Sequence, residues 1–143
     1  MSETYEMLKL ESQLCFPLYA CSKEVVKKYK PFLNKIGLTY TQYIAMLALW
    51  EVPCMTVKEM GKRLYLDSGT LTPLLKKLEQ KGYVERSRDK QDERVVNITI
   101  TKQGEALKKE AVDIPKQMSC CIQLEESERE ELYRILHKLL KCL

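Results

Sequence analysis

Cys15, Tyr19 and Tyr29 are the residues whose types and spacing could do chemistry. Residues 5–30 read as one long helix, with Leu8, Leu14, Leu18, Val25 and Val26 supplying apolar weight. At 100° per residue, Tyr19 lies roughly 40° to one side of Cys15 and Tyr29 roughly 40° to the other, so all three share a face. Phenol O–H groups beside a sulfur can donate to its thiolate and stabilise the charged form, which is the nucleophile. The chemistry is that of an activated thiol. A cysteine on an apolar helical face also fits a small buried hydrophobe. Pro17 interrupts the pattern: it either kinks the helix or lies near a helix start. A start there puts Cys15 close to the positive end of the helix dipole. Both arrangements suit a reactive sulfur.

The rest of the chain sets the context of that thiol. With 143 residues, 45% hydrophobic and 31% charged, it reads as one soluble, helix-rich domain. No apolar run approaches membrane-spanning length, and the start M-S-E-T-Y-E lacks the basic and apolar regions of a signal peptide. A cytoplasmic protein is expected, its six cysteines reduced at rest. No C-x-x-C pair occurs, and the sole histidine, His137, lies in a leucine-rich terminal helix, which points away from a zinc site.

Two short helices joined by a tight turn are predicted over Thr56–Gly82. Val57, Met60, Gly61 and Leu64 form the apolar stripe of the first, and Leu71, Leu74, Leu75 and Leu78 that of the second. Asp67 or Ser68 can cap the second helix by accepting from an orphan backbone N–H, and Gly82 can end it in the left-handed conformation. Gly61, without a Cβ, lets the two helices cross closely. This is the layout of a helix-turn-helix, whose second helix enters the DNA major groove. Its outward face offers Ser68, Gly69, Thr70, Thr72, Pro73, Lys76 and Lys77. Short hydroxyls at a helix N-terminus suit phosphates and base edges. Pro73 lies beyond the first turn and costs one backbone bond. An ordinary helical hairpin with a solvated face would share these features.

The segment after Gly82 decides between the two. From Tyr83 the period falls to 2: Tyr83–Arg86 and Val95–Thr101 read as strands, with Val96, Ile98 and Ile100 on one face and a polar loop between. A helix-turn-helix followed by a charged hairpin is a winged helix-turn-helix, a mainly α fold with a small β wing (α+β). Arg86, Arg88, Lys90 and Arg94 are the wing's candidates for phosphates or the neighbouring minor groove. Residues 62–90 hold eight Lys or Arg against four Asp or Glu, a net of +4 that equals the charge of the whole chain. The positive excess therefore sits on the DNA-facing segment.

Around this centre, Pro31 is expected to break the first helix, and residues 41–51 to form a nearly all-apolar helix at the middle of the core. Residues 51–55 read as a turn in which Cys54 is incidental. Thr101 caps the next helix, which runs to a bend at Pro115, and a capping box over Ser127–Glu130 opens the last. There Leu132, Ile135, Leu136, Leu139, Leu140 and Leu143 form a stripe with more apolar surface than one small winged domain needs. Residues 5–35 and 102–143 are thus expected to dimerise through N- and C-terminal helices, and residues 41–101 to bind DNA. A two-fold dimer would set two recognition helices on a palindromic operator.

The wing sequence D-E-R-V-V-N-I-T-I-T-K-Q-G (Asp92–Gly104) resembles the signature wing of the MarR family of bacterial repressors. Within that family, L-E-S-Q-L-C-F-P-L-Y-A, Y-K-P-F-L, L-T-Y-T-Q-Y and L-Y-L-D-S-G-T-L-T-P-L-L-K resemble the OhrR-type organic hydroperoxide sensors, over nearly the whole chain. The resemblance implies a homodimeric repressor that binds double-stranded DNA without a cofactor and controls a peroxide-detoxification gene. It implies that an organic hydroperoxide oxidises Cys15 to a sulfenic acid. Tyr19 and Tyr29, with Tyr40 from the partner subunit, would hydrogen-bond the sulfur, and Asp92 would hold the wing by pairing with Arg94, which reaches into the minor groove. Members of the family trap the sulfenic acid with a low-molecular-weight thiol or with a second protein cysteine near the C-terminal part of the other subunit. Cys120 and Cys121 lie in about that region, Cys120 being preferred, and a pair of bystander thiols fits the sequence equally.

Two other classes stand beside this reading. One is a MarR-type repressor that binds a small phenolic or lipophilic ligand, with Cys15 merely buried. The other is a thiol peroxidase, against which stand the lack of strand-helix alternation and the distance of the basic excess from Cys15.

Overall fold

The computed structural model describes residues 2–143, with side chains from residue 4 onward. Eight helices and three strands run in the order α1 (Ser2–Glu6), a 3-10 turn (Leu10–Ser12), α2 (Cys15–Asn34), α3 (Tyr40–Glu51), β1 (Cys54–Thr56), α4 (Val57–Leu64) and α5 (Ser68–Gln80). Then come β2 (Val84–Arg88), β3 (Val96–Ile100), α6 (Lys102–Ala111), α7 (Ile114–Cys121) and α8 (Glu126–Cys142).

The single helix expected over residues 5–30 is broken. Ser12 Oγ donates to the Glu6 carbonyl at 2.9 Å and Gln13 Nε2 to that of Lys9 at 2.8 Å, folding the segment into a turn. Gln13 is extended, and α2 starts afresh at Cys15. Pro17 therefore occupies the first turn, where its missing N–H has no intrahelical partner to lose. Pro31 does not end the helix. It costs one bond to the Lys27 carbonyl, yet α2 continues to Asn34 because Phe32 and Leu33 pack into the core.

Helix α3 is the centre of that core, as its composition predicts. Thr39 and Gln42 form a capping box at its start, and Ala45, Met46 and Leu49 have no exposed surface. Trp50 at its far end donates from Nε1 to the Gly104 carbonyl at 3.0 Å, tying α3 to α6. The helix-turn-helix forms as expected. Leu71, Leu74, Leu75 and Leu78 are buried on α5, and each contributes roughly 1.5–3 kcal/mol on leaving water.

Three strands form one antiparallel sheet in the order β1-β3-β2. Met55 pairs with Ile98 and Val84 with Ile100. The turn expected at residues 51–55 holds β1 instead: three residues are too few for a period-2 signal, and only pairing with β3 makes them a strand. Strand β2 runs two residues further than expected, to Arg88, so the wing loop is shorter. Thr101 caps α6, accepting from Gly104 N–H at 3.0 Å. The last helix opens at Glu126 rather than at a Ser127–Glu130 box, with the Glu125 N–H held by Glu128 at 3.0 Å. Its leucine stripe is solvent-exposed in the single chain, with Leu132, Ile135, Leu139 and Leu140 uncovered.

Candidate DNA interface and thiol site

The outward face of α5 carries every residue expected there. Ser68, Gly69, Thr70, Thr72, Pro73, Lys76 and Lys77 are all exposed. Asp67 caps the helix by accepting from Thr70 N–H at 2.7 Å, and that backbone hydrogen bond holds its carboxyl below the usual range. Thr72 donates its hydroxyl to the Ser68 carbonyl one turn back at 2.8 Å. Between α4, α5 and the wing lies an open cleft of about 1280 Å³, with Lys58, Lys62, Lys76, Arg88 and Arg94 among its lining residues. Cations around a concave face focus the field that attracts a phosphate backbone.

The wing's arginines divide by role. Arg94 is 92% exposed; Asp92 Oδ1 accepts from its backbone N–H at 3.1 Å and from its Nε at 3.2 Å. Arg88 donates to the Glu93 carbonyl at 2.8 Å across the hairpin, and Lys90 is exposed in the loop. Arg86 also lines the cleft, but its guanidinium is engaged by a carboxylate. Glu79, at the end of α5, takes its backbone N–H at 3.0 Å, its Nε at 3.2 Å and its Nη2 at 3.1 Å. The pair locks the wing to the recognition helix, and the same hydrogen bonds hold the Glu79 carboxyl low. Sequence reading also missed Asp89, whose carboxylate accepts from Gln91 N–H at 2.8 Å and Asn97 Nδ2 at 3.4 Å and so shapes the wing turn. A short acidic residue at a strand end was the available signal.

Cys15 is the first residue of α2 and is exposed, at the positive end of the helix dipole. Tyr19 lies one turn on, with Lys23 Nζ 5.3 Å from its ring centroid. Tyr29 does share the helical face of Cys15, but fourteen residues further along α2, about 21 Å at 1.5 Å per residue. The two cannot meet within one chain. Tyr29 is instead 4.9 Å, centroid to centroid, from Tyr40 at the start of α3, and a third phenol, Tyr43, backs both. Burial pushes the pKa of Tyr29 and Tyr40 up, with the neighbouring Tyr40 adding to the effect on Tyr29. Tyr43 is pushed up to about 12, by burial first and the other two phenols second. All three remain neutral O–H donors at physiological pH. Tyr43 went unread, although its i+3 spacing from Tyr40 places both on one face of α3.

Cys120 and Cys121 end α7, both exposed. Arg129 from α8 clamps the chain around them, donating to the carbonyls of Ser119 at 2.6 Å and Ile122 at 2.7 Å. Six free cysteines are present, every one exposed.

A helix-turn-helix with a cationic wing and a basic cleft defines a winged-helix DNA-binding regulator. A family model described as transcriptional regulator SarA/Rot matches residues 27–111. The chain is 48% identical over its full length to the organic hydroperoxide resistance transcriptional regulator of Bacillus subtilis (strain 168), covering 97% of that protein. It is 46% identical over 127 residues to the HTH-type transcriptional regulator SarZ of Staphylococcus haemolyticus, covering 89% of this chain and 86% of that one. Reduced AbfR bound to DNA superposes with a TM-score of 0.83 at 35% identity, over 97% of this chain and 95% of the other. Disulfide-formed AbfR gives 0.62 at 34% identity, over 99% and 94%. The chain belongs to the MarR-like family of winged-helix transcriptional regulators, in its OhrR-type branch.

Proposed function

We propose that the protein is a homodimeric, cytoplasmic repressor that senses organic hydroperoxides at Cys15 and then releases a palindromic operator. The observation that carries this reading is the neutral Tyr29–Tyr40 pair, which the fold assembles 4.9 Å apart and holds far from the Cys15 of its own chain. In a dimer built on the exposed N-terminal and α8 apolar surfaces, the pair from one subunit donates to Cys15 of the other, where Tyr19 is already one turn away. Such a site is completed only by dimerisation.

The thiolate attacks one oxygen of the hydroperoxide. An S–O bond forms and the O–O bond breaks; sulfur loses two electrons, and the departing alkoxide takes a proton from water and leaves as the alcohol. The sulfenic acid is then attacked by Cys120 or Cys121 of the other subunit, Cys120 being preferred. An S–S bond forms, the S–O bond breaks, and the leaving hydroxide combines with the thiol proton as water. A low-molecular-weight thiol would accomplish the same exchange. Loss of the thiolate acceptor frees the phenols, and the two winged modules move apart from the spacing of the half-sites. That reduced, DNA-bound AbfR is nearer in shape to this chain than its disulfide form supports two separate states.

The test is an operator-shift titration of wild type and Cys15→Ser with cumene hydroperoxide and hydrogen peroxide, followed by mass spectrometry of the cysteines. Wild type is expected to release DNA at lower cumene hydroperoxide, with the mass gain on Cys15, while Cys15→Ser binds and ignores the oxidant. Release by Cys15→Ser refutes the assignment.

A further inference from the structure

We propose that Tyr43 is a positioning residue of the sensor: its buried ring backs both Tyr29 and Tyr40 and fixes the angle at which the two phenols reach the partner subunit's Cys15. The inference rests on the peroxide-sensing reading and adds to it a residue that does not itself touch the sulfur.

The geometry is a closed triangle of rings. Tyr43 is 3% exposed, whereas Tyr29 and Tyr40 are only half-buried. Its centroid lies 5.8 Å from that of Tyr29 with planes at 44°, and 6.4 Å from that of Tyr40 with planes at 51°. The third edge, Tyr29–Tyr40, is 4.9 Å at 53°. Every edge falls in the range of favourable tilted aromatic pairs. Tyr29 comes from α2 and Tyr40 from the first residue of α3, so no single helix sets their relative angle. Tyr43 packs against both from a fixed place in the core, and the Thr39–Gln42 capping box holds the backbone from which Tyr40 springs. Remove that ring, and two phenols that must converge on one sulfur regain rotamer freedom, which binding must then freeze out. The hydroxyl of Tyr43 stays protonated and adds no charge to the cluster. Its ring, not its O–H, does the positioning.

The test measures second-order rates of sulfenic acid formation at Cys15 with cumene hydroperoxide, in the full-length dimer. Tyr43→Phe keeps the ring and is expected to react at the wild-type rate. Tyr43→Met fills similar volume without a rigid ring and is expected to react roughly tenfold more slowly, the cost of freezing two loose phenols. In a Tyr29→Phe/Tyr40→Phe background, Tyr43→Met should cost nothing further, because Tyr43 acts only through those phenols. Three results would overturn the proposal: wild-type reactivity of Tyr43→Met, an equal loss in the double-Phe background, or a Tyr43→Phe defect as large as that of Tyr29→Phe. The last stands even if Tyr43→Met fails to fold. Absence of sulfenic acid in wild type would instead sink the peroxide-sensing reading itself.

Discussion

Gly61→Ala is the substitution that most directly tests how the recognition helix is held. A Cβ at that position would lie 2.8 Å from the Leu66 carbonyl oxygen and 3.2 Å from Leu71 Cδ1. Leu71 can yield by rotation. The Leu66 oxygen cannot, because it belongs to the α4–α5 turn, where Leu66 N–H donates to the Gly61 carbonyl at 3.0 Å. Relief must come from the backbone. Overpacking of this kind costs about 1–3 kcal/mol, offset by about 0.5–1 kcal/mol from replacing glycine within a helix. The net loss, up to about 2.5 kcal/mol, lowers Tm by up to roughly 8 °C for a domain of this size. The same turn leads straight into Asp67 and the α5 cap, so a displaced Leu66 tilts the DNA-facing helix. Operator affinity in the reduced protein should fall roughly tenfold, equivalent to about 1.4 kcal/mol, while peroxide reactivity at Cys15 is unchanged. Thermal unfolding and operator titration measure the two effects. An alanine variant with wild-type Tm and wild-type affinity would refute the close-approach argument.

The wing arginines should separate by salt dependence: Arg94→Ala is expected to weaken operator binding and lower the salt slope by about one, as loss of an exposed cation that meets the phosphate backbone predicts. Arg86→Gln should weaken binding with the slope unchanged, because Glu79 already neutralises that guanidinium; equal slope changes would contradict the division of roles. Stability should fall as pH rises from about 10 to about 12, since buried Tyr43 keeps its proton while the unfolded chain loses it. Below that window the folded and unfolded phenols are both neutral, and the contribution is fully present. Urea midpoints against pH would report it, and a Tyr43→Phe profile identical to wild type there would count against it. Changing Cys120 and Cys121 together to Ser should abolish the cross-linked dimer on a non-reducing gel after cumene hydroperoxide, leaving sulfenic acid or a small-thiol adduct on Cys15. An unchanged dimer band excludes both as resolvers.

Elements with a strong local signal were legible. The leucines of α5 repeat at helical spacing, Asp67 and Thr101 cap where short oxygens precede apolar runs, and Val96, Ile98 and Ile100 alternate. Features made by distant pairing were not. Strand β1 exists only because Cys54–Thr56 finds β3, and Arg86 is paired with Glu79 from another element. The break before Cys15 is a side-chain matter: Ser12 and Gln13 compete with the helix for its carbonyls. Angular position alone also misled at Tyr29. It gave the correct face but ignored the rise, and the rise is what sends Tyr29 to Tyr40 rather than to its own Cys15.

In the proposed sensor, that displacement along α2 is also what would couple sulfur chemistry to DNA. Tyr40 begins α3, and α3 packs on both α4 and α5 through the buried centre of the molecule. The turn between α2 and α3 carries Gly37, whose carbonyl accepts from Lys81 Nζ just past the end of α5. The phenol pair and the recognition helix therefore belong to one packed unit. Close-packed interiors transmit strain rather than absorb it, so a shift at Tyr29 and Tyr40 reaches α5 as a rigid-body movement. Two such units must match two half-sites at once. A differential of only about 1.4 kcal/mol between the two packings changes affinity tenfold. Replacing a thiolate acceptor with a sulfenic acid or a disulfide removes charge-assisted hydrogen bonds worth about that much or more. In the proposed sensor, the energy for release is thus available at the sulfur itself.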